Sequence, residues 1–123
     1  MSAASATAFW DSLERLLRTE RLVVDRPRGS THPRFPDFVY PLDYGYLEGT
    51  SGGDGGGIDV WAGSADRAAL TGIVCTVDIA KRDTEIKLLA GCVAAEIEAI
   101  LEAQNSGPQA AILLMNPLIG AQR

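Results

Sequence analysis

Asp54 and Asp59 bracket the end of a loop, residues 48–57, that contains six glycines. Glycine folds tightly without a Cβ penalty. Two short carboxylates five positions apart on such a loop therefore suit a hard, oxygen-liganded cation such as Mg²⁺. A third carboxylate, Glu85, precedes Lys87 by two residues. Strand alternation places both on one face, together with Leu89. Upstream, Arg26, Arg28, His32 and Arg34 gather in a basic loop punctuated by Pro27, Pro33 and Pro36. Tyr40, Tyr44 and Tyr46 are separated by four and two residues, even numbers that put them on one side of an extended segment. Taken alone, the carboxylates are also solvated loop and strand groups, the basic residues a solvated surface loop, and the tyrosines barrel-wall packing.

The elements that must position these groups are legible from periodicity. Residues 5–18 form an amphipathic helix, with Trp10, Leu13, Leu16 and Leu17 at helical spacing. Leu22-Val23-Val24 opens a strand, and Phe38 to Leu47 is a second, aromatic-rich extended segment. Ile58 to Trp61, Leu70 to Ile79, Glu85 to Leu89 and Ala111 to Met115 complete the strands, with a turn at Lys81-Arg82-Asp83. Val93, Ile97, Ile100 and Leu101 mark a second helix over 92–104, ended by Asn105-Ser106-Gly107-Pro108. Five or six strands with one late helix predict an α+β, mainly β fold. The strands would form a small closed or nearly closed β-barrel spanning 21–117, with the helices packed outside.

The segment Tyr40-Pro41-Leu42-Asp43-Tyr44-Gly45-Tyr46, followed by Asp54-Gly55-Gly56-Gly57-Ile58-Asp59-Val60, resembles the signature of the soluble, family I inorganic pyrophosphatases. There a YPxNYGY-like strand precedes a DGDPxDV-like motif. The resemblance covers roughly 22–90 and is strongest over 40–60. It implies an OB-like barrel, Mg²⁺ (or Mn²⁺) as cofactor, and a homo-oligomer. Asp54 and Asp59 match two metal-binding aspartates of the motif. Glu85-Ile86-Lys87 looks like the later Asp-x-Lys element, so Glu85 would join the metal set and Lys87 would reach phosphate. Asp25-Arg26-Pro27-Arg28-Gly29-Ser30 and Arg34-Phe35 resemble the family's basic entry into the site, making Arg28 and Arg34 phosphate ligands alongside Tyr44. Tyr40 is a weaker candidate and Tyr46 is assigned to packing.

The family's middle aspartate, which activates the attacking water, aligns with Gly56. General-base catalysis contributes about 10²–10⁴ in rate, so a substitute is needed. Asp43, in the place of the family's Asn, and Glu48 are the nearby acids. The family's hairpin arginine and its C-terminal Tyr-Lys pair also have no counterpart. Arg26, Arg28 and His32 are the residues on hand to compensate. His32 otherwise reads as an exposed loop residue, and Trp61 as core.

At 123 residues the chain fits one small domain, and 46% apolar content supports a core. A formal charge of −5 argues against nucleic-acid binding. Cys75 and Cys92 read as buried free thiols of a reducing compartment. No apolar run approaches the roughly 18 residues of a membrane span, and a cytoplasmic setting is expected. The leading expectation is Mg²⁺-dependent hydrolysis of pyrophosphate or a similar small phosphoanhydride, catalysed through Asp59 and Asp43. The alternative is an inactive barrel of the same type, with weak metal or anion binding and a role in assembly or regulation.

Overall fold

The apolar residues of the strands point alternately to two cores, and this sets the architecture. In the computed structural model, which describes residues 2–119, the order is α1 (Ala3–Thr19), β1 (Leu22–Arg26), β2 (Asp43–Leu47), β3 (Ile58–Ala62), β4 (Leu70–Asp78), β5 (Asp83–Ala90), α2 (Ala94–Gln104) and β6 (Gln109–Met115). The ends of the expected single domain, Met1 and residues 120–123, lie outside the described part. The fold is α+β and mainly β. Among the described residues no helix is long and apolar enough to cross a membrane.

The six strands form one sheet in the order β1-β2-β3-β5-β4-β6, antiparallel except where β3 runs parallel to β5. On one face Leu47, Val60, Ile73 and Leu88 pack under Trp10 and Leu17 of α1. On the other, Trp61, Val74 and Leu89 pack under Ile97 and Ile100 of α2. Consecutive residues such as Val60 and Trp61 thus serve opposite cores, as the period of two requires.

The expected barrel is not closed: β1 and β6 are the sheet's two edges, with no pairing between them among the described strands. The physical reason lies in the helices. With one on each face, the two central cores are covered without closure, while Val77, Ile86, Ile112 and Leu114 toward the β6 edge stay exposed. Edge β6 is partly blunted by Asn105, whose side-chain amide donates to the Ala111 carbonyl (3.3 Å) and accepts from the Ala111 N–H (2.9 Å).

The extended segment Phe38 to Leu47 contributes a strand only from Asp43 onward. Pro41 has no N–H for a ladder, and the backbone before it is used locally. Tyr40 N–H donates to Ser30 O, and Val39 bridges Thr31. Both cysteines are free thiols: Cys92 is buried and Cys75 half-buried. Burial raises the Cys92 thiol to about 12.

Gly45 explains its own place between Tyr44 and Tyr46. It pairs with Val24 of β1, and a Cβ there would overlap the Val23 carbonyl oxygen. Gly45→Ala should therefore push β1 away from β2 and lower stability by about 3 kcal/mol. Urea unfolding monitored at Trp10 and Trp61 checks this; an unchanged midpoint would show that β1 does not seat against Gly45.

Candidate functional site

A cleft of about 800 Å³ opens on the α2 face of the sheet, bordered by the loop around His32 and the turn carrying Lys81. Strand register builds its floor. Tyr46 lies opposite Asp59 and Tyr44 opposite Trp61, while Val60 pairs with Leu88 and so sets Asp59 beside Lys87. Thr76 pairs with Glu85, which brings β4 alongside.

Lys87 is the centre of the site. Its ammonium donates to Tyr44 Oη at 2.7 Å, Glu85 Oε2 at 2.9 Å and Asp59 Oδ2 at 3.1 Å. Its side chain is only 10% exposed. Burial pulls the lysine toward neutrality, but Tyr44, Asp59 and Glu85 outweigh it and hold the ammonium above its ordinary range. Tyr44 is pushed the other way from ionisation: burial, with Asp59 beside it, raises its phenol and keeps it neutral. Nζ lies 5.2 Å from the Tyr44 ring centroid, off the hydroxyl edge, so the contact is the hydrogen bond to Oη.

Of the residues singled out from the sequence, Asp54, Asp59, Glu85, Lys87, Tyr44 and Arg34 line this cleft. Asp54 Oδ1 accepts the Gly56 N–H at 2.9 Å, which shapes the glycine loop. Asp43 and Arg28 do not line it. Asp43 is bound to the Arg28 N–H (2.8 Å) and to the Arg67 guanidinium (2.9 Å). Glu48, the other substitute base, pairs with Arg21 outside the cleft. Tyr46, expected to be packing, is half-buried and lines the cleft. His32 is half-buried rather than exposed; its Nδ1 accepts from the Arg34 and Phe35 N–H groups at 3.0 and 3.3 Å. Burial, then the nearby cations Arg26, Lys81 and Arg34, lower its pKa, so the imidazole is a neutral brace for the loop. Trp61 is core as expected, 1% exposed, with its indole N–H on Gln104 Oε1 at 3.0 Å.

Sequence reasoning missed Asp78 and Lys81 as cleft residues, and gave Phe35 no contact role within the Arg34-Phe35 entry element. Asp78 is buried and accepts the Ala80 and Lys81 N–H groups, each at 3.0 Å, so it folds the β4–β5 turn that carries Lys81. Lys81-Arg82-Asp83 marked a turn, but not which wall it returned to, and Asp78 read as part of the preceding strand.

Because Asp43 is held below its ordinary carboxyl pKa, first by the Arg28 N–H and then by Arg67, its contribution to stability has a defined pH sign. It is fully present above the unfolded value of 3.8 and is lost as pH falls through the lower folded value. Asp43→Asn should flatten the acid limb of the stability curve. Thermal melts between about pH 6 and 2 check this, and parallel acid limbs would contradict it.

The donor set can be tested against Mg²⁺. Among the described residues no three His, Cys, Asp or Glu side chains gather as a metal-holding group. Asp59 and Glu85 nevertheless each turn one oxygen toward the same ammonium, so two carboxylates converge on one positive charge. Mg²⁺ is commonly held by one or two carboxylates plus substrate phosphates and water rather than by a protein cage. Asp59 and Glu85 supply that number of carboxylates, and both are engaged here by the Lys87 ammonium.

No family model, no curated protein and no solved structure matches this chain. The fold is α+β, and its cleft is lined by both acidic and basic side chains.

Proposed function

We propose that this chain hydrolyses pyrophosphate or a similar small phosphoanhydride in the presence of Mg²⁺, with Mn²⁺ able to replace it. The observation that carries the reading is the convergence of Asp59, Glu85, Tyr44 and Lys87 in a cleft that also holds Arg26, Arg34 and Lys81. A metal–phosphoanhydride complex needs carboxylates for its cation and fixed cations for its oxygens. The metal, when bound, neutralises phosphate oxygens and makes water more acidic. Asp59 and Glu85 would hold it, with Asp54 on the adjoining loop. Lys87 and Tyr44 would orient the phosphate, and Arg34 would receive its outer oxygens. Water adds to one phosphorus, the bridging P–O bond breaks, and two phosphates leave.

On this reading metal and phosphate should bind interdependently. Calorimetric titration of Mg²⁺ should show weak binding alone and markedly tighter binding with methylene diphosphonate, a non-hydrolysable pyrophosphate analogue. Equal Mg²⁺ affinity with and without the diphosphonate would overturn the reading.

Gly56 favours a second reading, a site that binds without turnover, because it offers no proton acceptor. A Cβ on Gly56 would lie 3.3 Å from Asp54 Oδ1. A carboxylate introduced there would stand against Asp54, which lines the cleft. Activity created from none by Gly56→Asp would identify a decayed site; little change in an active protein would point to a resident base such as Asp54.

A further inference from the structure

Phe35 is 58% exposed, yet its place is fixed. Its carbonyl accepts the Phe38 N–H at 2.9 Å, and His32 N–H donates to Phe38 O at 3.0 Å. The Phe35 N–H itself rests on His32 Nδ1. A Thr31–Val39 bridge closes the base of the loop. The chain thus spends several hydrogen bonds on holding a large apolar ring partly in water, at the wall of the cleft. An aromatic so placed contributes little to the core; what singles Phe35 out is its position at the cleft wall against His32, where a ring can contact a ligand.

The ring does not stand alone. Its centroid lies 5.0 Å from that of His32, His32 is stacked on Tyr40 at 6.4 Å with the planes 10° apart, and Tyr40 lies 5.4 Å from Tyr44. Tyr44 in turn meets Lys87. One continuous aromatic wall therefore runs from an exposed ring to the buried ammonium. Bare pyrophosphate has nothing that stacks, and it is small beside a cleft of about 800 Å³.

We infer that the cleft takes a phosphoanhydride bearing a planar aromatic group, as a nucleoside diphosphate or triphosphate does. This rests on the phosphoanhydride reading above and narrows it. The base stacks at Phe35 and His32, and the phosphates extend along Arg34 toward Lys87, Asp59 and Glu85. The neutral imidazole of His32 suits this role, because it presents a flat face without competing for the phosphates.

The test is calorimetric binding, with Mg²⁺, of α,β-methylene adenosine diphosphate and of methylene diphosphonate to the full chain. The nucleotide analogue should bind about ten-fold or more tightly than the diphosphonate, the scale expected for one base stacked on an aromatic ring. Phe35→Ala should remove that advantage and leave diphosphonate binding unchanged, while Phe35→Trp should keep it. Phe35 is exposed, so both variants should fold; circular dichroism confirms that. Equal binding of the two ligands, or an advantage that survives Phe35→Ala, would overturn this inference and leave the hydrolase reading standing. Binding of neither ligand would overturn both.

Discussion

Metal-dependent phosphate release should fall at least about 100-fold in Asp59→Asn, with the fold intact. Asp59 supplies one of the two carboxylate oxygens that converge on the Lys87 ammonium. Asparagine keeps the size and one acceptor oxygen but loses the negative charge, which is what a hard cation requires. Structural damage should be small. The Asp59 side chain is 25% exposed, and Lys87 keeps its bonds to Glu85 and Tyr44. Rates from pyrophosphate with saturating Mg²⁺, alongside melts of both proteins, separate the two effects. An unchanged rate would remove Asp59 from the site.

Replacing Lys87 should act in the opposite sense on metal. Lys87→Met deletes the cation between Asp59 and Glu85, leaving two carboxylates facing each other with side chains 25% and 16% exposed. Breaking a fully buried pair costs about 3–5 kcal/mol, and partial exposure reduces this to about 2 kcal/mol here. Mg²⁺ should then stabilise the variant more than the parent, because it no longer competes with a resident ammonium. Phosphate affinity should fall at the same time, since a donor to the anion is gone. Chemical unfolding with and without Mg²⁺, plus diphosphonate titration, reads all three changes. The double variant with Asp59→Asn should lose less stability than the two single losses together. A Lys87→Met protein as stable as the parent, with no added response to Mg²⁺, would contradict the central role of this lysine.

Much of this arrangement was legible in the chain. Alternation alone placed Glu85 with Lys87, the same rule sets Asp59 beside Trp61, and the cleft is built on those faces. The same rule argued against Asp43 as a base beside Tyr44. Adjacent strand residues point to opposite faces, and the resemblance in the tyrosine motif masked that conflict. The partner that binds Asp43, Arg67, lies 24 residues away, beyond any local signal. Closure was illegible for a related reason. It depends on whether β1 meets β6, and neither strand's pattern encodes its edge. Phe35 read as one residue of a charged loop, because the bridge and hydrogen bonds that hold that loop over the cleft join residues 29–40 only in three dimensions.

The most direct measurement is phosphate release from pyrophosphate and from adenosine diphosphate by the purified chain, with Mg²⁺, with Mn²⁺ and with EDTA. Release well above background with either metal, abolished by EDTA and lost in Asp59→Asn, is the result predicted by a metal–phosphoanhydride site at Asp59, Glu85 and Lys87. A folded protein that releases no phosphate from either compound with either metal would contradict it.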